Sequence, residues 1–138
     1  FLTDGLQRMI DEGETFIAAE IENWYDCGQK DVLLQMNRIL LKKFANQNQS
    51  CKQFHNSIII PPVYLGNHAI INNSIIGPNV TIGDEAQIDS SILHDSIIGN
   101  YTQLENVTLT NSLIGSDSKI HGSTESLSVG DNTELDFR

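Results

Sequence analysis

Along the second half of the chain, aliphatic residues recur every five or six positions. That spacing is neither the period of about 3.6 of a helix nor the period of about 2 of a lone strand. Five segments share one pattern: Leu65-Gly66-Asn67-His68-Ala69, Ile82-Gly83-Asp84-Glu85-Ala86, Ile98-Gly99-Asn100-Tyr101-Thr102, Ile114-Gly115-Ser116-Asp117-Ser118 and Val129-Gly130-Asp131-Asn132-Thr133. Each is an aliphatic residue, a glycine, two mostly polar residues and a small one, at intervals of 17, 16, 16 and 15 residues. Further aliphatic positions lie between them, at Ile71, Ile76, Ile88, Leu93, Leu104, Leu109 and Ile120. A fixed repeat of this length is the mark of a solenoid. Each short strand turns one aliphatic side chain inward, and three sides make one coil. Coils then stack as parallel strands about 4.8 Å apart. The column Leu65/Ile82/Ile98/Ile114/Val129 is expected to run through the core. The glycine reads as a bend residue, chosen for backbone conformations that a Cβ would hinder.

The first 44 residues follow other rules. Thr3, the spacing Leu6, Met9, Ile10 and then Gly13 predict a short helix capped by Thr3 and ended at Gly13. Residues 15–21 alternate loosely around Phe16, Ala18 and Ile21, which predicts a strand. After a loop at Asn23-Trp24-Tyr25-Asp26-Cys27-Gly28, a second helix is expected from about 32 to 44, with Leu33, Met36, Leu40 and Phe44 on one face. Lys42 and Lys43 sit near its C-terminus, where the helix dipole favours cations. The polar stretch that follows reads as a connector, and Pro61-Pro62 opens an extended region. The organisation expected is 1–44, an α/β unit; 45–56, a connector; and 57–138, the solenoid, whose end after Leu135 is abrupt.

Composition narrows the function classes. A chain of 138 residues suits one ordinary domain rather than a two-domain enzyme. It begins at Phe1 without the basic and apolar regions of a signal peptide, and no apolar run reaches the roughly 18 residues of a membrane span. A soluble, cytoplasmic fragment of something longer is the simplest expectation. The net charge of −10 is uneven: residues 57–138 hold ten acids against Lys119 and Arg138 alone. Such a surface repels phosphate backbones and acidic lipid, so neither nucleic acid nor membrane is an expected partner. Cys27 and Cys51 form no closely spaced pair, which suits reduced thiols rather than a disulfide scaffold or zinc site.

The repeat resembles the hexapeptide repeat of left-handed parallel β-helices, and the left hand is carried by that resemblance alone. Proteins of this kind divide mainly into acyltransferases and the C-terminal domains of sugar-phosphate nucleotidyltransferases. The segments Leu2-Thr3-Asp4-Gly5-Leu6-Gln7, Gly13-Glu14-Thr15-Phe16, Trp24-Tyr25-Asp26-Cys27-Gly28 and the run 33–41 resemble the end of the catalytic domain of glucose-1-phosphate thymidylyltransferase-like enzymes. The likeness spans nearly the whole chain in the right order. It implies a mainly β fold: a left-handed β-helix of about five coils behind a small remnant of a Rossmann-like nucleotidyltransferase domain. It also implies attack of a sugar 1-phosphate on the α-phosphate of a nucleoside triphosphate, releasing pyrophosphate. In that family the Asp of the Trp-x-Asp-x-Gly loop helps to hold Mg²⁺, a role that falls by position to Asp26. A hard dication does want carboxylate oxygen. The plainer reading of Asp26 is a turn residue bonded to local backbone, and of Trp24 a packing residue. The family's Gly-rich nucleotide loop and its second metal-binding Asp have no counterpart in the chain, so no complete catalytic set is expected and the chain alone should be inactive. A homo-oligomer, a trimer in related β-helices, is the assembly implied.

The rival reading is a hexapeptide-repeat acyltransferase taking a coenzyme A thioester, with His94 or His121 as general base. Both follow inward-pointing aliphatic residues and should lie near the surface, whereas His68 sits inside a bend. Coenzyme A carries phosphates that want basic partners, which the solenoid scarcely offers.

Overall fold

The computed structural model describes residues 1–22, 24–44, 53–122 and 126–137. Two helices, α1 (Leu2–Asp11) and α2 (Lys30–Phe44), precede a parallel β-solenoid of about five coils. Sheet A contains β1 (Gln53–His55), β4 (Ile70–Asn72), β7 (Gln87–Asp89), β10 (Gln103–Glu105), β13 (Lys119–His121) and β15 (Glu134–Asp136). Sheet B contains β2 (Ile58–Ile59), β5 (Ile75–Ile76), β8 (Ile92–His94) and β11 (Thr108–Thr110). Sheet C contains β3 (Val63–Leu65), β6 (Val80–Ile82), β9 (Ile97–Ile98), β12 (Leu113–Ile114) and β14 (Ser128–Val129). The chain visits A, B and C in turn, and every pairing is parallel, as in a left-handed β-helix. β1 already belongs to sheet A, although it lies within the stretch that reads as connector; residues 45–52 fall outside those described.

The expected core column exists. Leu65, Ile82, Ile98, Ile114 and Val129 stand in register down sheet C, and Ile71, Ile88, Leu104 and Ile120 do the same down sheet A. Most are buried completely, with Val129 and Leu135 only partly covered at the last coil. Ala69, Ala86, Thr102 and Ser118, the small residues of the repeat, are also buried.

The corners are held by hydroxyls as much as by backbone. Ser57, Ser74 and Ser91 stack one coil apart; each donates to the carbonyl two residues back and accepts an N–H from the next coil, from Ser74, Ser91 and Val107 respectively. Ser96 and Ser112 repeat the arrangement at the B–C corner, where Leu127 N–H ends the ladder. A buried N–H that the sheet cannot reach thus finds a partner, which explains why buried polar residues are small and hydroxylated.

The glycines correct the sequence reading. Gly66, Gly83, Gly99, Gly115 and Gly130 do not have positive φ; the left-handed residue comes two positions later, on His68, Glu85, Tyr101, Asp117 and Asn132. Glycine is needed because the coils touch there. A Cβ on Gly99 would lie 2.5 Å from Ser116 N and 2.6 Å from the Gly115 carbonyl carbon, whereas one on Gly130, in the last coil, would meet nothing.

The N-terminal part also departs from expectation. α1 starts at Leu2 with Phe1 as its N-cap residue, so Thr3 lies inside the helix. Residues 15–21 form no strand. An isolated strand has no neighbour to complete its hydrogen bonds, and among the described residues no strand pairs with this segment.

Candidate functional site

The loop at 24–28 leads straight into α2. Asp26 Oδ1 accepts the Gly28 N–H at 3.0 Å, which closes a tight turn before Lys30. This is the local backbone bond of the plainer reading. Trp24 is 75 % exposed, so it packs against little in this chain. Cys27 is a free, exposed thiol, and Cys51 lies outside the described residues.

Asp26 brings one carboxylate to any cation, and one of its oxygens is engaged by Gly28. Among the described residues, no group of three or more His, Cys, Asp or Glu side chains is placed to hold a metal ion. Hard dications take six or more oxygens, several from protein or phosphate. The residues present therefore do not by themselves fit Mg²⁺.

Behind the loop, α2 is clamped to the solenoid at the B–C corner. Arg38 Nε donates to Asp95 Oδ1 at 2.7 Å, and Nη2 donates to Asn111 Oδ1 at 3.0 Å. Asn37 Nδ2 donates to the Asn79 carbonyl at 3.3 Å, and Thr81 Oγ1 donates to Asn37 Oδ1 at 2.5 Å. Asp95 also accepts from Asn79 Nδ2 at 2.9 Å. At the start of the helix, Lys30 Nζ donates to Ser126 Oγ at 3.2 Å. Leu34 and Leu41, the buried residues of α2, flank this polar pair at helical spacing. The seated face is therefore 34, 37, 38 and 41; of the face expected from Leu33, Met36, Leu40 and Phe44, the first two are half-buried, and Leu40 and Phe44 are each 45 % exposed. The reason lies opposite: the corner presents carbonyl, carboxylate and amide oxygens, and a purely aliphatic face would leave them unpaired.

The two candidate bases lie on different sheets and cannot act together. His94 ends β8 in sheet B, half-buried and in register with Thr110. His121 ends β13 in sheet A, and its Nδ1 lies 3.0 Å from Glu105 Oε2, one coil above. The pair borders an open groove of about 490 Å³ that runs along sheet A over Ile88, Leu104 and Ile120. Among the described residues, Lys119 is the one lysine or arginine lining it, set among Asp89, Glu105, Glu134 and Asp136. His68 sits exposed at a corner with φ of 56°.

Sequence reasoning missed Arg38, Asn37 and Glu105. For Glu105 a signal existed, because Asp89, Glu105 and His121 are each 16 residues apart and so share one column. For Arg38 the only sign was a cation in the middle of a leucine-rich helix. No helix among the described residues is long and apolar enough to cross a membrane. In comparison with known proteins, the sequence matches no protein-family model and no curated protein.

Proposed function

We propose that this chain is the C-terminal part of a sugar-1-phosphate nucleotidyltransferase, in which the β-solenoid assembles and steadies the enzyme. The reading rests chiefly on one arrangement: the Trp24-Tyr25-Asp26-Cys27-Gly28 loop is held to the solenoid through α2, while the elements before it keep their apolar side chains bare. Met9 and Ile10 of α1 are 45 % and 49 % exposed, Ile17 is 89 % and Trp24 is 75 %. An amphipathic helix with no buried residue is built to lie against something further. The remainder of a nucleotidyltransferase domain supplies such a surface.

In the reaction proposed, a phosphate oxygen of the sugar 1-phosphate attacks the α-phosphorus of a nucleoside triphosphate. The bond from that phosphorus to the bridging oxygen breaks, and pyrophosphate leaves with the electron pair. Asp26 is the residue of this chain proposed to face the reactants. With one carboxylate it does not assemble a site, and the chain alone is expected to be inactive. A calorimetric titration with nucleoside triphosphate and Mg²⁺ is expected to show no binding, and micromolar affinity would count against inactivity of the chain. The coding sequence ahead of Phe1 decides the larger reading: a Gly-rich segment with Arg and Lys supports it, and a different sequence there refutes it.

A second reading has one observation in its favour. The His121–Glu105 pair is how a carboxylate orients an imidazole for general-base work, and it borders a groove. This would be an acyltransferase using a coenzyme A thioester. The acidic surroundings of Lys119 oppose binding of the coenzyme's phosphates. Transfer from acetyl-coenzyme A that disappears in His121→Ala would reverse the ranking.

A further inference from the structure

The last coil repeats features that have work to do only against a coil beyond it. Gly66, Gly83, Gly99 and Gly115 are each pressed by the coil that follows; a Cβ on Gly115 would lie 2.5 Å from both Asp131 N and the Gly130 carbonyl carbon. None of these glycines has positive φ, so the close approach is what requires them. Gly130 has neither reason. Its φ is not positive, and a Cβ there would meet nothing.

The hydrogen bonds of this corner have the same direction. Each glycine N–H donates to the aliphatic carbonyl one coil on: Gly66 to Ile82, Gly83 to Ile98, Gly99 to Ile114 and Gly115 to Val129. The N–H of the next residue donates to a side-chain oxygen on that coil, from Asn67 to Asp84, Asp84 to Asn100, Asn100 to Ser116 and Ser116 to Asp131. The hydroxyls of Thr102 and Ser118 also cross, donating to the carbonyls of Gly115 and Gly130 at 3.0 Å. In the last coil all three lack a receiver among the described residues. By the same geometry the N–H groups of Gly130 and Asp131 face outward along the axis, and the Thr133 hydroxyl turns back to its own Gly130 carbonyl at 3.1 Å. Val129 and Leu135 are only partly covered.

We propose that the polypeptide following Arg138 forms a further coil seated on residues 126–137. Phe137 is already on that path: its N–H donates to the His121 carbonyl at 2.9 Å, the bond that Asn73, Ser90, Asn106 and Gly122 make at the same corner of earlier coils. A row of outward N–H groups is met by the edge of another parallel strand. A capping helix would not meet it, because a helix spends its carbonyls on its own turns. The chemistry of the seat specifies the occupant. An aliphatic residue 15–17 positions after Val129 would accept from Gly130, and Asp, Asn or Ser two positions later would accept from Asp131. This goes beyond the enzyme reading and does not depend on it.

The test compares the 138-residue chain with the chain extended along its own coding sequence. In the extended protein the amides of Gly130 and Asp131 should exchange as slowly as those of Gly115 and Ser116, about tenfold or more slower than in the 138-residue chain. Gly130→Ala should then lower the urea midpoint as Gly99→Ala does, although it is neutral in the shorter chain. If Gly130→Ala does not fold in the extended protein, amide exchange of the wild type reads the same contact. A coding sequence that stops at Arg138 or lacks the aliphatic and Asp, Asn or Ser positions overturns the inference, as does a Gly130→Ala that stays neutral in the extended protein. Protection of these amides in the 138-residue chain that grows with concentration would put a second copy on the seat and overturn the choice of occupant.

Discussion

At Gly99 one hydrogen atom separates two coils. The space that a Cβ would occupy belongs to the backbone of Ser116 and Gly115, and backbone cannot rotate out of the way as a side chain can. Gly99→Ala should therefore destabilise by about 1–3 kcal/mol, the usual range for overpacking. Gly130→Ala, with open space beneath it, should change stability by less than about 0.5 kcal/mol. Urea unfolding midpoints of the two variants check the contrast; equal losses would mean that glycine serves backbone conformation after all. That distinction was not legible in the sequence. The Ile-Gly pairs showed that something small was required at each interval, but a close approach and a positive φ both demand glycine and leave the same letter. The hydroxyls were equally silent. Ser74, Ser91, Ser96 and Ser112 look like surface bend residues until the stacking places each beneath the next.

Among the elements, α2 shows how far periodicity carries and where it stops. Its existence over 30–44 follows from the leucine spacing and the two lysines. Its orientation does not, because two apolar stripes are available and the choice was made by the polar corner beneath. The seat depends on Arg38, which joins Asp95 and Asn111 on successive coils. Arg38→Ala should weaken docking by about 0.5–1 kcal/mol, the range for a partly exposed ion pair. Hydrogen exchange would then speed up several-fold in residues 30–44 and hardly at all in the strands. Uniform acceleration would show instead that helix and solenoid unfold as one unit. The absent strand at 15–21 teaches the complementary lesson: alternation announces a face, and a strand forms only where a neighbouring strand completes its hydrogen bonds.

For the whole molecule, the short repeat disclosed the architecture almost fully, since coil length, core column and strand register all follow from one interval. The candidate site was far less legible. Asp26 could be marked only through a likeness to other sequences, and its observed bond to Gly28 N–H serves the turn itself. Charge acts at this scale too. Acids crowd sheet A and the C–A corner with Lys119 as the nearest compensation, so like charges repel across coils about 4.8 Å apart. Raising salt from about 0.01 M to about 0.1 M shortens the screening length from about 30 Å to about 10 Å. The thermal midpoint should rise by a few degrees over that range, and a fall would show that ion pairs outweigh repulsion. The left-handed corner positions carry a last consequence. His68, Glu85, Tyr101, Asp117 and Asn132 share φ between 55° and 57°, and all are exposed. Five unlike side chains adopt one backbone shape, so the fold does not read what is written there. One edge of the prism is an unedited margin, evenly ruled, on which labels or new ligands could be set in sequence while the core takes no notice.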